Sequence, residues 1–89
     1  MNYMIRIGII GTGYWGKHHL RVFSKLSCEI IGIADIDPTR ELLAEEYKVK
    51  FYTDYKKLLK KTDAVSIVTP PSTHYKIAKK ALKQGNHVF

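Results

Sequence analysis

The sequence predicts an α/β domain built on a doubly wound parallel sheet. Three observations carry that prediction. Short β-branched runs recur along the 89 residues, each about the length of one strand. Stretches with apolar residues at helical spacing separate them. The run "AVSIVT" is near-continuously apolar rather than alternating, which is the mark of a parallel strand buried on both faces. Strands joined through helices need crossover connections, right-handed in nearly all folds, so helices cover both faces of the sheet.

The elements follow in order. Met4 to Ile10 forms the first strand. Trp15 to Leu26 forms an amphipathic helix with His19, Val22, Phe23 and Leu26 on its inner face. The run "CEIIGIAD" is the second strand and ends at Asp35. "DPTRELLAEEY" starts the next helix with Asp37 as N-cap and Pro38 at the first helical position, and the helix stops near Tyr47. "VKFY" is a third strand, "DYKKLLKK" a short helix and "AVSIVT" the fourth strand. After a turn at Pro70-Pro71, "HYKIAKKALKQG" carries Ile77, Ala78, Ala81 and Leu82 at helical spacing and ends with Gly85 as its cap. "NHVF" begins a fifth strand.

Bulk properties narrow the function classes. One domain, expected to be incomplete at its C-terminal end, spans residues 1–89, and a chain of this size buries about 60 to 65% of the surface it exposes unfolded. The N-terminal apolar stretch is too short to span a bilayer, is broken by Arg6 and is followed by no small-residue cleavage site, so a cytoplasmic protein with no membrane partner is expected. The one cysteine, Cys28, adjoins an apolar run and reads as a buried, inert thiol. Histidines and carboxylates lack metal-ligand spacing, so no metal is expected. The net charge of +7 is unevenly spread: residues 1–47 carry five Lys/Arg against six Asp/Glu, and residues 48–89 ten Lys against two Asp. Lys76, Lys79, Lys80 and Lys83 fall on the outer faces of an amphipathic helix, with no arginine in that half and no exposed aromatics regularly interleaved with the lysines. This is a solvated surface rather than a nucleic-acid interface.

The chemistry lies in "GIIGTGYWG", where Gly11, Gly13 and Gly16 stand at G-x-G-x-x-G spacing. The pattern alone is common. Here it follows a strand, opens a helix and lies in a βαβ unit whose second strand ends in an acid, Asp35. In that setting Gly11 permits the tight turn, Gly13 leaves space for a pyrophosphate and Gly16 lets helix and strand pack closely. Backbone N–H groups from about Thr12 to Trp15 then face the phosphates at the positive end of the helix. Asp35 can accept hydrogen bonds from both hydroxyls of an adenosine ribose and would repel a 2′-phosphate, which favours NAD over NADP. Arg40, one turn into the next helix, could reach a phosphate or stack on adenine. The plain alternative for Asp35 is a turn or cap before "IDP", a role Asp37 already fills. On these residues alone, a nucleotide-sensing or CoA-binding module with no reaction of its own is the competing reading.

Three segments, "IRIGIIGTGYWGKHH", "GIADIDPTR" and "VTPPSTHYKIAKKALKQGNHVF", resemble in order and separation the N-terminal part of the glucose–fructose oxidoreductase / inositol dehydrogenase / MocA (Gfo/Idh/MocA) family. "GYWG" and "TPPSTH" are most similar to its nucleotide-sugar 3-dehydrogenases. The resemblance implies a Rossmann-type fold, cut off before the family's C-terminal α/β substrate domain. It places Gly11, Thr12, Gly13, Tyr14 and Trp15 about the pyrophosphate, Asp35 on the ribose, and Thr69, Pro70 and Pro71 along the cofactor toward the nicotinamide. Many relatives carry Asn where Pro71 stands, so contacts there would come from backbone carbonyls or Ser72. His74 matches a histidine at the loop-to-helix junction, with orienting and capping roles both open. His19 reads as a packed helix residue and His18 as exposed. In the family the fifth strand continues into an E-K-P motif that supplies a catalytic lysine, absent from these 89 residues. The implied whole protein transfers hydride between a sugar or nucleotide-sugar hydroxyl and the nicotinamide. The chain alone is expected to bind nucleotide without turnover, and to self-associate through the sheet edge at "NHVF".

Overall fold

A computed structural model describes residues 4–89, with Tyr14 and Trp15 described by their backbone alone. Five strands and four helices alternate: β1 (Ile5–Ile10), α1 (Tyr14–Ser24), β2 (Cys28–Ala34), α2 (Glu41–Tyr47), β3 (Lys50–Tyr52), α3 (Tyr55–Leu59), β4 (Ala64–Ile67), α4 (Pro71–Lys83) and β5 (His87–Val88). A 3-10 turn, Pro38–Arg40, leads into α2. The strands pair in parallel in the order β3-β2-β1-β4-β5, with Ile7–Ile10 of β1 aligned to Ala64–Ile67 of β4. Among the described residues, no helix is long and apolar enough to cross a membrane.

The sheet separates two apolar layers, as strands buried on both faces require. On one face Leu20 of α1 and Leu43 and Ala44 of α2 pack with Ile7, Ile9 and Ile33. On the other, Leu58 and Leu59 of α3 and Ile77 and Ala81 of α4 pack with Ile10, Val65 and Ile67. Helices therefore cover both faces in pairs, and the sheet is doubly wound.

Local chemistry starts the helices as the sequence suggests. Asp37 Oδ1 accepts hydrogen bonds from Thr39 N at 3.0 Å and Thr39 Oγ1 at 2.7 Å. These bonds, Thr39's hydroxyl first, hold the Asp37 carboxyl below its ordinary value. Asp54 caps α3 by accepting from Lys56 N at 3.0 Å. Gly85 follows α4 with φ +86, a left-handed conformation that glycine adopts without steric cost.

The inner face of α1 differs from the expected one. Val22 and Leu26 are exposed, at 42% and 55%, while Leu20 is fully buried. Gly16 must abut β1, and that contact sets the rotation of the helix, so residues 16, 19, 20 and 23 turn inward; Leu26 lies beyond the helix end at Ser24. On α4 the expected apolar face loses Leu82, which is exposed, and keeps Ile77 and Ala81. The turn expected at Pro70-Pro71 is the helix start itself: Pro70 is the N-cap of α4 and Pro71 its first residue.

Two polar features had no sequence signal. Asn86, buried before β5, donates from Nδ2 to the Leu59 carbonyl at 3.0 Å and accepts from Thr62 Oγ1 at 2.8 Å. It ties the end of α3 to the α4–β5 turn. At the opposite end of the sheet from the helix-bearing loops of β1 and β4, Arg6 Nη2 lies 3.2 Å from Asp63 Oδ1.

Two outcomes follow from this packing. Asn86→Ala removes the bond that Thr62 Oγ1 donates and the amide that serves the buried Leu59 carbonyl, leaving only the longer contacts of Thr62 Oγ1 to the Leu58 and Leu59 carbonyls at 3.3 and 3.4 Å, so thermal or urea unfolding should show a loss of about 1 to 3 kcal/mol. Cys28 is half-buried, its thiol donates to the Phe23 carbonyl at 3.1 Å, and burial raises its pKa. Its alkylation at pH 8 should run well below the rate of a free thiol and reach that rate on denaturation.

Candidate functional site

β1 and β4 lie side by side, and the chain leaves them in opposite directions, toward β2 and toward β5. This is the topological switch point of an open α/β sheet, the place outside the strand ends where such folds bind their ligands. The β1–α1 loop, the end of β2 and the β4–α4 loop border it.

In the first loop each glycine meets a different constraint. Gly11 has φ +91, and a Cβ there would lie 3.0 Å from the Val68 carbonyl carbon and 3.1 Å from Thr69 N. This close contact brings the β1 and β4 loops together. A Cβ on Gly16 would lie 2.2 Å from the Gly11 carbonyl oxygen, so α1 approaches β1 as closely as backbone permits. Gly13 is the N-cap of α1, and a Cβ there would meet nothing within 4 Å. The first turn of α1 carries no acidic residue and no side-chain cap. Its leading N–H groups have no acceptor within the helix and stand at the positive end of the helix dipole. A bare, uncapped helix start beside open space is suited to an anion.

Asp35 turns toward this loop. Its Oδ2 accepts from Thr12 N at 2.9 Å and Thr12 Oγ1 at 2.7 Å, and its Oδ1 accepts from Asp37 N at 2.9 Å. Two expectations change. The Thr12 N–H, counted among the phosphate donors, is committed to Asp35, and Thr12 is fully buried. A carboxylate offers about four lone-pair positions. Three are filled, so Asp35 keeps one acceptor position on Oδ1 where two hydroxyls were expected to bind. The preference of Asp35 for the loop comes from proximity: Gly11 N donates to the Ala34 carbonyl at 2.8 Å, holding the two strand ends together.

Arg40 closes the 3-10 turn, with Nε 3.9 Å from Asp37 Oδ2. It faces a groove of about 260 Å³ shared with Lys17, Thr39 and Glu46. A wider groove of about 410 Å³ continues along α1 and α2 past His18, Arg21 and Tyr47. Neither is lined by the glycine loop or by Asp35.

From β4, Thr69 sits against Gly11, and among the described residues its buried Oγ1 has no hydrogen-bond partner. The Pro70 carbonyl, one of the backbone acceptors expected near the cofactor, is taken by Thr73 N at 2.9 Å, Thr73 Oγ1 at 3.0 Å and His74 N at 3.1 Å. Pro71 and Ser72 are exposed in the first turn of α4. His74 is half-buried in the same helix, where its amide donates to the Pro70 carbonyl. The side chains of Tyr14 and Trp15, which the resemblance places about the pyrophosphate, lie outside the described residues.

One polar pair was missed. His19 Nδ1 and Ser66 Oγ share a hydrogen bond of 2.6 Å, and the ring also meets Phe23 edge-on at 6.4 Å between centroids. His19 is thus packed, as expected, and also joins α1 to β4. Ser66 gave no signal because it stands inside a β-branched run. His18 is exposed.

A family model described as an oxidoreductase family with an NAD-binding Rossmann fold matches residues 5–89. Over 84 residues the chain is 36% identical to a UDP-N-acetylglucosamine 3-dehydrogenase of Acidithiobacillus ferrooxidans, covering 93% of this chain and 26% of that protein. An inositol 2-dehydrogenase of Ralstonia nicotianae is 29% identical, with 96% of this chain and 27% of that protein covered. The crystal structure of a scyllo-inositol dehydrogenase from Lactobacillus casei with bound NAD(H) and scyllo-inositol superposes with a TM-score of 0.88 at 29% identity, over 98% of this chain and 27% of that one. The chain thus spans about a quarter of the length of these relatives. A family match over nearly all of its length, joined to a switch-point crevice with a G-x-G-x-x-G turn, places this chain in the Gfo/Idh/MocA oxidoreductase family, on that family's NAD-binding Rossmann fold.

Proposed function

We propose that the crevice outside β1 and β4 seats NAD with its pyrophosphate over Gly13, against the first turn of α1. The observation that carries this is the open space at Gly13 beside an uncapped helix start. Backbone N–H groups of residues 13–16 face the phosphates, and the helix dipole adds about 0.3 to 1 kcal/mol for each favourably placed charge. Asp35 Oδ1 accepts one adenosine ribose hydroxyl through its remaining lone pair. Thr69 borders the cofactor farther along, where its unpartnered hydroxyl gains a partner, and Pro70, Pro71, Ser72 and His74 flank the nicotinamide end. The Asp35 charge supports NAD over NADP: a unit charge about 4 Å away is repelled by about 4 kcal/mol at an effective dielectric of 20. Arg40 offsets this only by leaving Asp37.

The bound cofactor supplies the hydride chemistry, and this chain holds and orients it. In the whole protein the reaction we propose is dehydrogenation of a hydroxyl on a sugar, nucleotide sugar or cyclitol, supported by what the relatives are named for.

Calorimetric titration of the chain with NAD tests the site. Wild type should bind in the submillimolar range. Gly13→Val should abolish binding while changing stability by about 1 kcal/mol or less, the scale of an N-cap substitution. Gly16→Ala should instead lower stability by about 3 kcal/mol, since a methyl group cannot share space with the Gly11 carbonyl. Equal NAD affinity in wild type and Gly13→Val would refute the pyrophosphate placement.

A further inference from the structure

The residue between the first two glycines is left unspecified by the glycine motif, and here it is Thr12. Its side chain is fully buried at the end of β1. Its amide and its hydroxyl converge on one oxygen, Asp35 Oδ2, at 2.9 and 2.7 Å. The other carboxylate oxygen is held from the opposite side by Asp37 N at 2.9 Å. Three donors therefore determine the orientation of a single acid. A strand-end aspartate with no such anchors can rotate into solvent and vacate the space beside a ribose. This one cannot do so without orphaning a buried hydroxyl.

We propose that Thr12 is a positioning residue for nucleotide discrimination: its hydroxyl pins the Asp35 carboxylate at the crevice. The pinned acid presents one acceptor to a free ribose hydroxyl and an immovable negative charge to a 2′-phosphate. The inference rests on the reading that Asp35 meets the adenosine ribose. With the hydroxyl removed, Asp35 is held by two of its three donors, the Thr12 amide on Oδ2 and the Asp37 amide on Oδ1, and its carboxylate leaves the crevice at a cost lower by one hydrogen bond. A 2′-phosphate then meets less repulsion and comes within the range of Arg40, whose present partner is the exposed Asp37.

The test is titration calorimetry of the full chain with NAD and with NADP, comparing wild type, Thr12→Val, Thr12→Ser and Asp35→Asn. Valine keeps the shape of threonine and loses the donor; serine keeps the donor. Thr12→Val should narrow the NAD-over-NADP preference about tenfold, the scale of one hydrogen bond to a charged group. Thr12→Ser should hold the preference within about twofold of wild type, because it restores that bond. If Asp35→Asn collapses the preference while Thr12→Val leaves it unchanged, the role assigned to Thr12 is overturned and the ribose contact stands. An equal loss of affinity for both nucleotides in Thr12→Val, with their ratio constant, also overturns it, since a purely structural role predicts that outcome. If Asp35→Asn alters neither affinity nor preference, the ribose contact itself fails and takes the inference with it. Should Thr12→Val lose its far-ultraviolet circular dichroism, Thr12→Ala is read by the same ratio.

Discussion

The Gly11 carbonyl oxygen occupies the place where a side chain on Gly16 would begin. This contact governs the rest of the site. It draws α1 onto β1 at backbone distance, sets the helix rotation that buries Leu20 and turns His19 toward Ser66, and leaves the helix start facing the crevice. Any larger residue at position 16 would lift the helix and move its N-terminus away from the strand ends. The bare, uncapped helix start is thus a packing result before it is an electrostatic one.

A second layer of constraint is polar. Thr12, Asp35 and Asp37 form one hydrogen-bonded unit that joins the end of β1, the end of β2 and the turn into α2. Asp37 takes part twice, donating its amide to Asp35 and capping the 3-10 turn with its carboxylate. The unit orients the acid before any ligand arrives, and such preorganisation lowers the cost of binding. His19 with Ser66 and Asn86 with Thr62 fasten α1 to β4 and α3 to the α4–β5 turn in the same manner. Buried hydrogen bonds of this kind carry much of the geometric specificity.

The path of the chain also decides where the open side lies. Because β1 and β4 are neighbours while their crossovers diverge, Gly11 and Thr69 meet although most of the sequence separates them. Meanwhile β3 and β5 stand at the two ends of the strand order.

Much of this was legible from residue order. Apolar runs alternating with helical spacing set the strand–helix alternation, Asp37-Pro38 and Gly85 marked their helix boundaries, and the three glycines marked the β1–α1 turn, because each of these signals is local in the chain. The phase of α1 was not legible: His19, Val22, Phe23 and Leu26 satisfy helical periodicity as well as the true inner face does, and only contact between Gly16 and Gly11 chooses between them. Nor could the sequence show that Thr12 spends its amide on Asp35, that the Pro70 carbonyl is consumed within α4, or that Ser66 meets His19. Local composition determined which elements form and where the glycine turn stands. The tertiary structure alone decided which donors and acceptors remain free for a ligand, because hydrogen bonds between distant segments exist only once the strands are brought side by side.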